Sequence, residues 1–381
     1  MSENREPFSG DGCAIPGAST WSGAARPLTN RPRPDSARAS GGTSRLVEDT
    51  RTTHREADRG TGGHQRGRAA ITPVDIPPAG WKDVAARVKA EVKEDRVTLL
   101  SAGVAFYSLL ALVPGLAALI SLYGLVGDPN QVQKRVTDLM GAAPKEARQL
   151  VASQASSIIN SSGGKVGLGL AVSIVLALWS ASSGMSHLME AVNVAYDEGE
   201  ERGFVKRRAL ALGMTVGAVV FVFVAIFVIA ILPATVAKLD LPGAVRVLVS
   251  LLRWPVLAAL LLGALAVLYR MAPNRDGARW AWVSPGAILA TVLWLVGSIL
   301  FSIYTANFGK YNETYGSLGA VVIVMLWLLL TAFAVIVGAE LNSEVERQTR
   351  EDTTTGPERR MGRRDAFAAD TLGPSADEVR G

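Results

Sequence analysis

Long apolar segments alternate with short polar stretches between residues 97 and 345. An α-helix rises about 1.5 Å per residue, so roughly 20 apolar residues cross a hydrocarbon core of about 30 Å. Six segments reach that length, and residues 97–345 are therefore predicted to be an all-α, polytopic membrane domain of six transmembrane helices. The predicted spans cover residues 98–126, 166–193, 207–233, 254–271, 282–305 and 317–341.

Residues 76–96 are predicted to form an amphipathic interfacial helix just before the first span. Trp81, Val84 and Val88 share one stripe at helical spacing, while Lys82 and Lys89 lie off that stripe. A tryptophan and lysines on a short amphipathic helix are typical of a membrane surface. We therefore expect residues 80–96 to contact anionic lipid.

The two ends of the chain differ in composition from the membrane domain. Residues 1–75 and 346–381 are rich in Gly, Ser, Thr, Pro and Arg, although the whole chain is 49% hydrophobic. Such segments bury too little apolar surface to offset chain entropy, so both tails are predicted to be disordered. The net charge of +5 is modest, and no basic run is interleaved with aromatic residues, so no nucleic-acid partner is expected.

Lysine and arginine near the ends of the spans predict the orientation of the chain. Positive residues accumulate on the cytoplasmic side of membrane proteins. The basic connections precede the first span and follow the second, fourth and sixth. We therefore predict a bacterial plasma (inner) membrane protein, surrounded by the lipid bilayer, with both termini cytoplasmic. The residues concerned include Arg87, Lys93, Arg202, Lys206, Arg270, Arg275, Arg279, Arg347 and Arg350.

The second span carries the densest polar seam of the membrane domain. Ser180, Ser183, His187 and Glu190 fall on one helix face, and His187 and Glu190 stand one turn apart. Ionisable groups at membrane depth usually face a bundle interior or a wet cavity, which favours a proton or cation relay. The alternative is that this end of the span already lies at the membrane interface.

The first and last spans add further candidate residues. Glu340 ends a long apolar run, and Glu344 and Arg347 are spaced to pair at i, i+3. Glu340 is interpreted either as part of a polar site near the inner face or as an interfacial acid held by an arginine. Together with the seam, it is predicted to line a polar pathway between the first, second and sixth spans. The first span contributes Thr98, Ser101 and Ser108.

A loop between the last two spans is rich in aromatic and amide side chains. Asn307, Tyr311, Asn312 and Tyr315 lie there among several glycines. A ligand site at the outer face is one interpretation. An interfacial aromatic belt is the other.

Motifs for soluble-enzyme chemistry are missing from the sequence. There are three histidines and one cysteine, Cys13, so neither a histidine-rich zinc motif nor a disulfide within the chain is available. Gly163-Gly164-Lys165 is followed by valine, which does not match a phosphate-binding loop. We expect no enzyme activity, no metal site and no cofactor.

Several polar and aromatic runs resemble the YihY/BrkB family of bacterial inner-membrane proteins. The resemblance covers residues 80–348 and implies a six-helix bundle. Members have been linked to serum resistance and have carried the name ribonuclease BN, which is regarded as a misassignment; a transport-like role has also been suggested. The matching runs include AGVAFYSLLALVPGL, LWSASSGMSHLMEAVNVAY, RWPVLAALLLGALAVLYRMAPN, YTANFGKYNETYGSLGA and VGAELNSEVER.

Three functional hypotheses remain open at this point. The first is a transport-like or envelope role for a polar pathway within the bundle. The second is a non-transporting scaffold that anchors partners through its tails, and the third is a membrane-associated ribonuclease. Small residues such as Gly103, Gly217 and Gly263 also permit close helix packing within one chain or in a homo-oligomer.

Overall fold

The computed structural model describes residues 66–126, 166–239, 242–306 and 317–380. Within these ranges every regular element is helical, and one isolated antiparallel bridge pairs Ala278 with Thr354. The predicted all-α class is confirmed for this part of the chain. The helices are α1 (Pro78–Glu94), α2 (Val97–Val126), α3 (Val166–Ala195), α4 (Phe204–Ile226), α5 (Leu232–Lys238), α6 (Gly243–Met271), α7 (Trp280–Ala306), α8 (Ser317–Glu346), α9 (Phe367–Asp370) and α10 (Ala376–Arg380).

Several of these helices could cross a membrane. Among the described residues four stretches are long and apolar enough, and a fifth span results if α1 and the first half of α2 form one broken crossing. The protein is therefore a membrane protein with several candidate spans, and the count of six stays a prediction. The four stretches are Phe204–Ile229, Gly243–Met271, Trp280–Thr305 and Val321–Glu346.

The amphipathic helix before the first span is present as α1. Its apolar stripe packs against the protein core, with Val84 fully buried and Trp81 partly buried, while Lys82 and Lys89 are exposed. The stripe thus faces other helices of this chain, and the exposed lysines remain available for contact with lipid headgroups. A bend of 60° separates α1 from α2.

Two predicted spans have different limits in the structure because prolines are accommodated inside them. The predicted span 254–271 begins earlier, as α6 runs continuously from Gly243 through Pro255. The predicted span 207–233 contains a π-helical turn, Phe227–Ile231, just before Pro233. A wider turn is one way for a helix to absorb the hydrogen bond that a proline cannot donate.

The core lies towards one end of the bundle. The C-terminal ends of α3, α6 and α8 and the N-terminal end of α7 meet there, around the buried side chains of Met189, Tyr269, Trp282 and Ile336. Away from this end, apolar side chains of α4, α6 and α7 are exposed, as Leu251 illustrates. Apolar helix surfaces of this extent are typical of contact with lipid.

Helices α7 and α8 approach closely at two glycines. A Cβ atom added to Gly286 would lie 2.6 Å from Cγ of Asn342 and would overlap the carbonyl oxygen of Gly338. The Asn342 side chain enters the backbone hydrogen bonding of α7: its Oδ1 accepts from the Gly286 N–H at 2.7 Å, and its Nδ2 donates to Val283 O at 3.1 Å. This contact fixes the orientation of the C-terminal half of α8 beside Pro285 of α7.

Residues 347–380 fold against this end of the bundle, which differs from the predicted disorder of 346–381. The buried Arg364 guanidinium donates to the carbonyl oxygens of Glu351 and Ala369, at 2.9 and 2.7 Å. Ala366, Ala368 and Ala369 are also buried. The composition argument missed this segment because it is held by arginine bonds to the backbone and by small side chains, with little large apolar surface.

Residues 66–76, predicted to belong to the disordered N-terminal tail, join the same layer. The Arg350 N–H donates to Arg68 O at 2.9 Å, and the Thr349 hydroxyl donates to Ala70 O at 2.7 Å. Both described chain ends therefore lie at one end of the bundle, which we call the terminal face (residues 66–76 and 347–380). Residues 1–65 lie outside the described part.

Candidate functional site

The C-terminal end of α8 carries three carboxyl groups that are almost completely buried. Glu340, Glu344 and Glu346 are each 1% exposed or less. Burying a charge is unfavourable unless it is paired and hydrogen-bonded. The partners of these three residues therefore decide what the region can do.

Glu344 is paired with two arginines. The buried Arg87 of α1 donates from Nε to its carboxylate, and Arg347 donates to the other carboxylate oxygen, as its i, i+3 spacing predicted. Arg87 also donates to Gln348 Oε1 at 2.9 Å and to Pro374 O at 2.8 Å. This pair joins α1, α8 and the C-terminal segment, so its role is structural.

Glu346 is paired as completely. Arg275, in the connection between α6 and α7, donates to its two oxygens at 3.1 and 2.7 Å, and Thr353 donates to it at 2.6 Å. The Arg275 guanidinium also lies 5.2 Å from the ring centre of Tyr196. Although burial lowers the pKa of Arg275, the facing Glu346 carboxylate raises it further, so the guanidinium stays charged.

Glu340 differs from its two neighbours on α8. It is 1% exposed, and its Oε1 atom has no hydrogen-bond partner among the described residues. It stands six residues before the end of α8, about 9 Å along the helix. No charge of opposite sign is paired with it in the described part of the chain. The groups within electrostatic range are all acidic: Asp95, Glu91, Asp197 and Glu344.

Further buried polar atoms near Glu340 also have no partner in the described residues. They are the Tyr196 hydroxyl, Oε2 of Glu91 and Nε of Arg347. Glu91 and Arg347 are themselves paired at 3.2 Å, and burial together with the Glu346 carboxylate raises the pKa of Tyr196. Buried polar atoms of this kind are usually satisfied by internal water. The arrangement is therefore suited to a small hydrated chamber around Glu340.

Two turns beside this chamber hold non-glycine residues in the left-handed region. Arg96, at the bend between α1 and α2, has φ of 51°, and Asp197, just after α3, has φ of 56°. Each lies next to or within the acidic group that surrounds Glu340. Such conformations cost of order 1–3 kcal/mol and tend to cluster at functional sites.

The predicted seam on α3 does not face the core. Ser180 and Glu190 are exposed, and Ser183 and His187 are partly exposed. His187 and Glu190 do approach, at 3.7 Å, and the His187 ring stacks on Tyr107 at 3.6 Å between ring centres. The buried serines of α3 are instead Ser182 and Ser186, each bonded to a carbonyl of its own helix.

The remaining predicted residues also separate. Ser101 is buried but donates to Val97 O of its own helix at 2.6 Å, Ser108 is partly buried, and Thr98 is exposed. Of the predicted pathway only Glu340 is a buried ionisable group. The candidate outer-face residues Asn307, Tyr311, Asn312 and Tyr315 lie outside the described residues.

Sequence reasoning missed most of the charged groups around Glu340. Arg87 and Arg275 were used only as markers of orientation, and Glu91 and Tyr196 were not singled out. A charged residue on the apolar side of α1, as Arg87 is, was the available signal for a buried pair. No set of three His, Cys, Asp or Glu side chains suited to a metal ion occurs among the described residues.

Comparison with known proteins gives the family. The sequence model of the family described as Virulence factor BrkB matches residues 88–362. The ribonuclease-like protein YfkH of Bacillus subtilis is 32% identical over 255 residues, which are 66% of this chain and 90% of YfkH.

More distant relatives carry the name UPF0761 membrane protein. One from Rhodospirillum centenum is 25% identical over 264 residues, 68% of this chain and 56% of its own length. One from Tolumonas auensis is 34% identical over 100 residues, 26% of this chain and 33% of its own length. The chain thus spans only a third to just over half of these two relatives. No solved structure matches. The match over residues 88–362 and the similarity to YfkH together show that this chain belongs to the BrkB family of membrane proteins.

Proposed function

We propose that the protein is a proton-coupled transport protein of the bacterial inner membrane, and that Glu340 is its proton-binding group. Six spans and a cytoplasmic terminal face belong to the same proposal. The observation that carries it is the Glu340 carboxyl group, which is 1% exposed and has an oxygen without a hydrogen-bond partner among the described residues.

The argument rests on the balance of charge around Glu340. A buried carboxylate needs a positive charge, and its acidic neighbours increase that need. The nearby arginines are engaged elsewhere: Arg87 with Glu344 and Arg275 with Glu346. A proton bound to the carboxyl group neutralises it without any further ligand. Ionisable residues inside membrane bundles commonly act as such proton sites.

A route for the proton is available on both sides of Glu340. Towards the terminal face, the unpartnered atoms of Glu91 and Arg347 mark positions for water. Towards the opposite end of the bundle, α7 and α8 share a polar contact, in which Trp294 Nε1 donates to the Thr331 hydroxyl at 3.2 Å. One turn further along α7, the buried Ser298 hydroxyl lacks a partner among the described residues.

Proton flux into proteoliposomes tests this function. Purified protein is reconstituted into vesicles that contain a pH-sensitive dye, and an acid step is applied outside under a fixed membrane potential. We expect the wild type to acidify the lumen faster than protein-free vesicles, and Glu340→Gln to remove that difference. Glu358→Gln, which changes an exposed acid of the C-terminal segment, is the matched control and should keep the wild-type rate. Wild-type flux equal to that of empty vesicles would refute the proposal.

A non-transporting scaffold is the second candidate, because residues 66–76 and 347–380 fold together at the terminal face. Removal of residues 1–65 separates the two: a scaffold acting through the tail loses its function, whereas proton flux through the bundle is retained.

An enzyme activity is not part of the proposal. The printed name of YfkH calls that relative ribonuclease-like, so RNA cleavage by the purified protein, with and without divalent cations, is the matching check. We expect no cleavage above the background of an identically purified Glu340→Gln sample.

A further inference from the structure

The C-terminal segment contains a cavity lined mainly by arginine. Its volume is about 410 Å³, within the range of small-molecule sites. Four guanidinium groups face one carboxylate in its lining. The cavity is formed within residues 350–364, away from Glu340 and the spans. The lining residues are Arg350, Glu358, Arg359, Arg360, Met361 and Arg364.

The loop that forms this cavity is organised around the buried Arg364 side chain. Its guanidinium donates to Arg350 O at 2.7 Å, Arg359 O at 3.2 Å and Glu351 O at 2.9 Å. These bonds tie the beginning of the loop to its end. The side chains of Arg350, Arg359 and Arg360 are therefore carried by a backbone of defined shape.

Two carboxylates complete the frame. Asp352 accepts from the Arg359 N–H at 2.7 Å, and Asp370 accepts from the Arg364 N–H at 3.0 and 3.1 Å. Burial would raise the pKa of Asp352, but hydrogen bonds from Thr354 and from the backbone lower it overall, so the carboxylate stays ionised as the anchor. Gly356 and Gly362 have φ of 113° and 86°, which the tight turns of the loop require.

The charge of the lining is only partly neutralised. Arg359 pairs with Asp276 at 2.6 Å, and Asp352 lies 3.8 Å from Arg364. Glu358 is the acid in the lining itself. Arg350, Arg359 and Arg360 are all exposed. Several guanidinium groups gathered on a preorganised loop favour an anion of high charge density.

We propose that this loop binds a phosphate-bearing anion, through the guanidinium groups of Arg350, Arg359 and Arg360. Guanidinium donors match the oxygens of phosphate in geometry and charge, and phosphate is carried by soluble metabolites and by the headgroups of anionic lipids. The site is separate from Glu340, so it stands or falls independently of the proposed proton transport.

Phosphorus NMR of inorganic phosphate, with the full-length protein in non-ionic detergent, tests the site. We expect saturable broadening of the phosphate signal by the wild type, and an affinity about tenfold lower for Arg360→Gln, as for the loss of one charge-assisted hydrogen bond. Arg363→Gln is the matched control, because Arg363 is exposed and three residues away but does not line the cavity. It should bind phosphate as the wild type does.

Two results would overturn the proposal: no saturable broadening by the wild type, or an equal loss in Arg360→Gln and Arg363→Gln, which would indicate attraction by net charge alone. The source of the anion follows from nanodiscs of phosphatidylcholine with and without phosphatidylglycerol. Phosphate binding that phosphatidylglycerol suppresses identifies a lipid headgroup as the occupant, and binding that it leaves unchanged identifies a free phosphate compound. Equal thermal unfolding of the two variants shows that both are folded.

Discussion

The ion pair between Arg275 and Glu346 gives the sharpest prediction about stability. Both side chains are 1% exposed or less, and the guanidinium donates to the carboxylate at 2.7 and 3.1 Å. In Arg275→Met the Glu346 carboxylate keeps only the hydrogen bond from Thr353 among the contacts described. The substitution therefore leaves a buried negative charge at the C-terminal end of α8, where the helix dipole is also unfavourable for it.

The expected magnitude follows from this burial. Removing one partner of a buried ion pair typically costs about 3–5 kcal/mol, whereas replacing both partners by apolar residues of similar size is often close to neutral. We expect Arg275→Met to lower the free energy of unfolding by about 3–5 kcal/mol. The double variant Arg275→Met/Glu346→Met should recover most of that loss.

Unfolding in mixed micelles, followed by circular dichroism as SDS is added, measures these differences. The control is the neighbouring pair of Asp276 and Arg359, whose side chains are 37% and 45% exposed. Asp276→Asn should change the free energy of unfolding by about 1 kcal/mol or less, because exposed pairs contribute little. The reasoning fails if Arg275→Met is as mild as Asp276→Asn, or if the double variant is no more stable than the single one.

Further predictions concern pH and helix packing. Burial raises the pKa of Glu198 to about 7. Because its folded pKa lies above its unfolded value, the folded state loses stability as pH rises from about 4.5 to about 7, by at most about 3 kcal/mol. Glu198→Gln should abolish this dependence in thermal unfolding; a wild type equally stable at about pH 5 and about pH 8 would contradict it. Gly286→Ala should destabilise the α7–α8 contact by about 1–3 kcal/mol, since its Cβ would overlap Asn342. Gly217→Ala meets nothing within 4 Å and should be neutral or stabilising by up to about 1 kcal/mol; equal effects of the two alanines would refute the packing argument.

Hydropathy alone was enough to predict the helices of the membrane domain. Apolar runs decide where helices form, since backbone polar groups cannot be left unsatisfied in lipid. The limits were less predictable at prolines. α6 continues through Pro255, and a π-helical turn precedes Pro233. Tertiary contacts decide whether such a residue ends a helix or only bends it.

The faces of the helices were harder to predict. The seam of Ser180, His187 and Glu190 shares one side of α3, as its spacing indicated, but that side is exposed or half-exposed and Ser186 lies on the buried one. In a membrane helix apolar residues occur all round, so periodicity does not say which side faces protein. Glu340 could be singled out because an acid within a long apolar run has few alternatives to burial.

The fold of the C-terminal segment was not predictable from composition. Arg364 stabilises it by donating to several backbone carbonyls, and Arg87 attaches it to α1 through Pro374. An arginine-rich sequence with few large apolar residues gives the same composition whether its guanidinium groups bind water or backbone oxygens. Only the three-dimensional arrangement separates the two.

The central claim, that Glu340 binds and releases a proton inside the bundle, is tested most directly by infrared difference spectroscopy. Spectra of the protein in lipid at two pH values are subtracted, for the wild type, Glu340→Gln and the exposed-acid control Glu358→Gln. The account predicts a carboxyl C=O band that shifts in heavy water, that is present in the wild type and in Glu358→Gln, and that is missing from Glu340→Gln. Difference spectra in which Glu340→Gln retains every carboxyl band of the wild type would contradict it.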